Sequence, residues 1–254
     1  MSEALYHQCF GQGPDLVFLH GFLGSGDNFW PQAQALKEDY RCWLLDLPGH
    51  GRSPHLPDYT MTSLAEGVLQ ALDGLQLAKA SVIGHSLGGK VAARLAQLAP
   101  ERLDRVVMAD ISPAPTLPKH GAILQAMRSL PLDRLAKRDD AEPYLREAEP
   151  VMDVRRFLLK NLAPKDGGGW QWKPDIEGFE RDERSLLTQT FDGPPFLGPA
   201  LLIKALRSDY VSEADLLVAK KVFPNLTVKT MDAGHWLHAE KPDEFVRILR
   251  DFLA

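Results

Sequence analysis

A chain of 254 residues with 44% hydrophobic and 25% charged side chains and a net charge of -5 is sized for one large α/β domain, or for such a domain carrying an insertion. No basic excess marks a nucleic-acid surface, and no apolar run reaches the roughly 20 residues that span a bilayer. The opening stretch MSEALYHQCFGQGPD lacks the apolar centre of a secretion signal, and Cys9 and Cys42 stand apart without metal-ligand spacing, so a reduced cytoplasmic setting is expected.

In chain order, strand-length apolar runs alternate with helix-like segments: DLVFLHG (15–21), RCWLLDLPG (41–49), ASVIGHS (80–86) and DRVVMADIS (104–112). Runs without strict polar alternation suit strands covered on both faces. Between them FWPQAQALKED, MTSLAEGVLQALDGL and GGKVAARLAQLAPERL carry apolar residues at helical spacing, and a βαβ series predicts a mostly parallel sheet with helices on both faces. After Pro113 the rhythm breaks. Residues 113–198 are rich in charge and proline, with helix-like HGAILQAMRSL and VRRFLLKNL and a KDGGGWQWKPD turn that predicts a short hairpin. We expect a helical lid there, inserted into a core made of residues 1–112 and 199–254. Strands resume at PALLIKAL (199–206) and LTVKTMDAGH (226–235), and PDEFVRILRDFLA closes as an amphipathic helix.

Gly84-His85-Ser86-Leu87-Gly88 is a G-x-S-x-G element between a predicted strand and a predicted helix, the context in which this short pattern forms a nucleophile elbow. The bend presents Ser86 at the carboxyl end of the sheet, with the Leu87 amide and the positive end of the next helix facing the place where an oxyanion forms. A serine hydroxyl is a weak nucleophile at neutral pH and needs a base. Of eight histidines, His235 in DAGHWLHAEKPDEF follows the last strand and lands beside the elbow, so it is the expected general base. His238 reads as a packing histidine, and His20, His50 and His85 as loop braces. His7, His55 and His120 have no chemical context. Two carboxylates compete to orient the base: Asp110 at the end of RVVMAD, and Asp209 in RSDYVSE. Either keeps the chain order serine, acid, histidine. The second oxyanion donor is expected from HGFLGS (20–25), where Gly21 permits close approach and Phe22 offers its amide.

These residues together resemble the α/β-hydrolases over nearly the whole chain. Through HGFLGSGDNF, GHSLGGKVA, ADISPAP, YVSE and AGHWLHAEKPDEF the sequence is similar to the small bacterial YbfF-type esterases and their abhydrolase-domain relatives. That resemblance implies Asp110 as the acid, with Ser208 at the position where most of the superfamily carries it. It also implies a serine carboxylic-ester hydrolase acting on small to medium acyl esters, or acyl thioesters, through an acyl-enzyme and without metal or organic cofactor. LVFLHGFLGSGDNFWP and LLDLPGHGRS also resemble the menaquinone-pathway lyase that eliminates pyruvate with the same three residues. That family carries Tyr and Arg where this chain has His85 and Lys90. A non-enzymatic small-ligand receptor on the fold is the other alternative. Phe22 and Leu23, with Trp170 and Trp172 of the lid, are the expected pocket residues. The expected partner is a small-molecule ester or thioester, not a nucleic acid or membrane, for a monomer or homodimer.

Overall fold

The computed structural model describes residues 4–254. Nine strands and ten α-helices occur among them: β1 His7–Phe10, β2 Asp15–Leu19, α1 Trp30–Leu36, β3 Arg41–Leu45, α2 Met61–Gly74, β4 Ala80–His85, α3 Leu87–Leu98, β5 Leu103–Ala109, α4 Gly121–Arg128, α5 Glu142–Leu145, α6 Met152–Leu159, β6 Leu162–Pro164, β7 Trp170–Trp172, α7 Ile176–Leu187, β8 Ala200–Ala205, α8 Glu213–Val222, β9 Leu226–Met231, α9 Leu237–Glu240 and α10 Pro242–Leu253. Seven strands form one sheet in the order β1-β3-β2-β4-β5-β8-β9. Only β1 runs antiparallel to its neighbour. None of the helices among the described residues is long and apolar enough to cross a membrane.

Alternation along each strand divides the core between the two faces of the sheet. Val17, Leu19, Val82, Val106, Met108 and Leu202 pack with α2, α3 and α8, while Leu16, Phe18, Ile83, Val107, Leu201 and Ile203 pack with α1 and α10. Both sets are buried, which is why these strands read as continuous apolar runs. Each such side chain contributes about 1.5–3 kcal/mol on leaving water. Helix starts follow local chemistry. Thr60 accepts the Ser63 amide at 3.0 Å to open α2, and Ser212 accepts that of Asp215 at 3.2 Å to open α8.

Residues 113–198 leave the sheet after β5 and return at β8, contributing α4 to α7 and the antiparallel β6–β7 hairpin across the glycine turn. Asp175 ties this segment to the rest of the chain: it accepts the Gly178 amide at 3.0 Å, capping α7, and the Tyr59 hydroxyl at 2.9 Å. Tyr59 is fully buried beneath Phe179, with ring centroids 4.4 Å apart. β1, α7 and α8 are elements the sequence reading did not mark.

Candidate active site

β4 and β5 are paired in parallel, with His85 opposite Ala109, so Ser86 and Asp110 leave adjacent strands at the same edge of the sheet. Ser86 has φ 50° and ψ -118°, a conformation that few L-residues adopt and that persists only where the surroundings enforce it. The enforcement is steric. A Cβ on Gly84 would lie 2.2 Å from the Gly88 carbonyl, and one on Gly88 would lie 2.1 Å from the Leu19 carbonyl oxygen, so strand, bend and helix close up only with glycine at both positions. The Ser86 amide donates to Ala109 O at 3.1 Å, and its carbonyl accepts from Gly89 N at 2.9 Å.

Asp110 is fully buried and also takes a positive φ, 49°. Its carboxylate receives three donors: the Ala205 amide on Oδ1 at 2.9 Å, and Ser208 Oγ at 2.5 Å and His235 Nδ1 at 2.8 Å on Oδ2. Those bonds offset the cost of burying a charge and fix the His235 tautomer, leaving Nε2 as the basic nitrogen. A π face and a backbone contact hold the His235 ring in place. Tyr210 stacks on it at 3.6 Å and 11°, and His85 Nε2 donates to the His235 carbonyl at 2.9 Å. Lys119 lies over the other face of Tyr210, its Nζ 3.4 Å from the ring centroid. Among the described residues Ser86 Oγ makes no hydrogen bond, and the side-chain bond of His235 goes from Nδ1 to Asp110.

The loop after β2 comes within contact of the elbow, a Cβ on Gly21 falling 3.4 Å from that of Ser86 and 2.9 Å from His85 Nδ1. His20 braces this loop by accepting the Leu47 amide on Nε2 at 3.0 Å and donating from Nδ1 to the Gly21 carbonyl at 2.8 Å. Neither the Phe22 nor the Leu87 amide is taken by an acceptor among the described residues, so both are available to an anion. The Phe22 ring rests on His120, Phe179 and His50.

Burial depresses the pKa of several neighbouring histidines. His85 and His50 lie well below the usual imidazole value, His20 is also lowered, and His238 is pushed down to about 3 by burial and by nearby His235. His238 packs flat on Phe29 at 4.8 Å and 29°, the packing role expected of it.

Ser86, His235, Asp110, Phe22 and Leu87 are thus gathered at one edge of the sheet. Asp209, the alternative acid, is exposed and makes no bond to His235 among the described residues; the neighbouring Ser208 meets Asp110 instead. Leu23 is buried in a positive-φ turn, 2% exposed, and its carbonyl accepts from Asn161 Nδ2 at 2.7 Å. Trp170 and Trp172 donate their indole N–H groups to the Leu135 and Met127 carbonyls at 3.1 and 2.8 Å and pack on the apolar core under α4. No ring contact joins either to Phe22 or His235 among the described residues. Lys90, weighed as a substrate-carboxylate partner in the lyase comparison, is buried with Nζ on the Ala114 carbonyl, and burial lowers its pKa to about 8. No group of three or more His, Cys, Asp or Glu side chains among the described residues is disposed to hold a metal.

Sequence reasoning missed Ser208 as a donor, Tyr210 as a stacking partner, Lys119 over Tyr210, and the His120–Glu183 pair against Phe22. YVSE entered only through the family resemblance, and nothing in it indicated that Tyr210 covers an imidazole.

The model of the α/β-hydrolase fold matches residues 14–143. The chain is 34% identical over 250 residues to the sn-1-specific diacylglycerol lipase ABHD11 of Xenopus laevis, covering 95% of this chain and 80% of that protein. It is 34% identical over 249 residues to the esterase YbfF of Escherichia coli strain K12, covering 94% and 92% of the two chains. Among solved structures, a marine microorganism esterase superposes with a TM-score of 0.94 at 32% identity, covering 99% of this chain and 100% of that one. The chain belongs to the α/β-hydrolase family, among relatives named for ester hydrolysis.

Proposed function

We propose that this protein is a serine carboxylic-ester hydrolase that acts on small to medium acyl esters, with acyl thioesters as a second substrate class. The observation that carries the reading is the His235 Nδ1–Asp110 Oδ2 bond of 2.8 Å beside a strained serine with two unclaimed amides at hand. His235 Nε2 takes the Ser86 proton as Oγ adds to the acyl carbon. The Phe22 and Leu87 amides hold the oxyanion, and the imidazolium returns its proton to the leaving alcohol or thiol. Water, activated by the same imidazole, releases the acid from the acyl-enzyme. Asp110 orients the ring and stabilises its cationic form, and Ser208 holds the shared carboxylate oxygen still.

Residues 113–198 serve as the lid in this reading, supported by Lys119 over Tyr210 and by the packing of His120 and Phe179 on Phe22. Of the lid cations Arg155, Arg156 and Lys160, which would suit an acidic or CoA-bearing substrate, Arg155 is buried and paired with Glu142 at 2.6 Å, while Arg156 and Lys160 are exposed. The free thiols Cys9 and Cys42 suit a reducing compartment, and we place the protein in the cytoplasm.

A graded series of p-nitrophenyl esters and acyl-CoA thioesters tests the reading. Sustained turnover of esters, with thioesters ranked beside them at matched acyl length, is the expected result. At most a few cycles per molecule on any ester would instead favour a binding protein.

A further inference from the structure

The lid holds a second imidazole–carboxylate pair that the mechanism above does not use. His120, preceding α4, lies with Nδ1 2.8 Å from Glu183 Oε1 of α7. The same oxygen accepts the Lys119 amide at 3.0 Å and the His120 amide at 2.7 Å. Three donors on one oxygen of a buried carboxylate fix both the peptide at 119–120 and the imidazole attached to it.

The fixed ring has a definite place. Its centroid is 4.7 Å from that of Phe22, the residue after Gly21, at which a Cβ would fall 3.4 Å from that of Ser86. Lys119, one residue before it, covers Tyr210, which stacks on His235. His120 therefore stands between the Phe22 loop and the Tyr210–His235 stack, and its side chain is 25% exposed. The ionisable groups around it are Glu183 from α7, Lys119 from its own turn and His235 from the loop after β9. Burial favours the neutral ring, Lys119 and His235 act in the same direction, and Glu183 opposes them. With Nδ1–H given to Glu183, Nε2 carries a lone pair, and no described residue donates to it. An acceptor fixed beside the Phe22 loop and left unmatched by the protein is complementary to a donor on the substrate.

We propose that His120 is a specificity-determining residue whose Nε2 accepts a hydrogen bond from a hydroxyl carried by the substrate close to its scissile carbonyl, with Glu183 as the positioning residue that aims it. The inference rests on the ester-hydrolase reading and narrows it to hydroxyl-bearing esters. The hydroxyl can sit on the alcohol side or on the acyl side of the ester.

The test measures kcat/KM for two matched pairs: 2-hydroxyethyl against 2-methoxyethyl butyrate, and ethyl 3-hydroxybutyrate against ethyl 3-methoxybutyrate. The parent protein should prefer the hydroxyl member of one pair by about 3- to 10-fold, the discrimination a single neutral hydrogen bond supplies, and the pair that responds identifies the side. In His120→Phe, which keeps an aromatic ring on Phe22 but cannot accept, the ratio should fall to near one. His120→Gln, whose amide oxygen accepts, should restore part of it. Glu183→Ala should lose the preference, whereas Glu183→Gln, which keeps an acceptor oxygen, should retain more of it. Acidification of the parent should also erase the preference, since a protonated ring has no lone pair to offer. A ratio near one in both pairs for the parent, or a preference that survives both His120→Phe and acid, overturns the proposal. Parallel assays on p-nitrophenyl butyrate separate the two readings: no parental turnover there sinks the hydrolase assignment itself, while turnover with an unaltered ratio sinks only the role of His120.

Discussion

At the scale of single residues, the account turns on how one buried oxygen is shared. Asp110 Oδ2 takes both His235 Nδ1 and Ser208 Oγ, so its loss and the loss of its second donor have different consequences. Asp110→Asn turns one carboxylate oxygen into a donor, upsets the His235 tautomer and should lower kcat by about 10³- to 10⁴-fold with little change in KM. Asp209→Asn should cost far less. Ser208→Ala leaves the His235 bond but frees the carboxylate to shift, and a fall in kcat of about 3- to 10-fold is expected, the worth of one hydrogen bond. Steady-state kinetics on p-nitrophenyl butyrate would rank the three, and equal losses in Asp110→Asn and Asp209→Asn would contradict the assignment. The residues alone left Asp110 and Asp209 open, because each follows a strand and both emerge at the same edge. What the residues alone do not display is position in space: the parallel register of β5 on β8 sets Asp110 beside the amide of Ala205 and brings the following loop, with Ser208, onto its carboxylate. The contact joins residues 98 positions apart, a distance no local pattern spans.

At the scale of elements, the β4–Ser86–α3 unit was legible because its requirements are local. A strand running into a helix through one strained serine needs glycine wherever backbone meets backbone, and G-x-S-x-G displays that need in five letters. Gly88→Ala would drive a methyl group into the Leu19 carbonyl, splaying α3 from β2. We expect a loss of about 3 kcal/mol or more in urea unfolding together with loss of ester turnover; unaltered stability would show that the elbow is looser than described. The chemistry of residues 113–198 was not legible by the same means. His120 and Glu183 are 63 residues apart, and their pairing depends on α4 lying against α7. β1 escaped notice because three of its four residues are only half-buried and Cys9 is exposed, without the apolar run that marked the inner strands. α7 escaped because it is dominated by charge, although its four apolar side chains, Ile176, Phe179, Leu186 and Leu187, all turn inward. Trp170 and Trp172 show the limit of composition as a guide, since aromatic side chains build a small core as readily as they line a pocket.

At the scale of the whole molecule, four buried histidines make stability depend on pH. His20, His50, His85 and His238 all have folded-state pKa values below the ordinary imidazole value, with burial the largest cause in each. Above about pH 6.5 folded and unfolded chains are alike in leaving these rings neutral. Below it the unfolded chain binds protons that the folded chain refuses, so stability falls as pH falls; for His238 the window runs from about 6.5 down to about 3. Each such group contributes a slope of more than about 1 kcal/mol per pH unit inside its window. Urea unfolding between pH 7.5 and 5 should show a steep acid-side loss of several kcal/mol, shallower in His238→Phe. A flat profile would mean that these rings take up protons alike in the folded and unfolded chains.

The most direct measurement is the mass of the intact protein after a brief exposure to a fluorophosphonate, followed by peptide mapping. The account predicts a single adduct confined to the peptide carrying Ser86, absent in Ser86→Ala and greatly slowed in His235→Ala. A stoichiometric adduct on another residue, or unchanged labelling and ester turnover in Ser86→Ala, would contradict it.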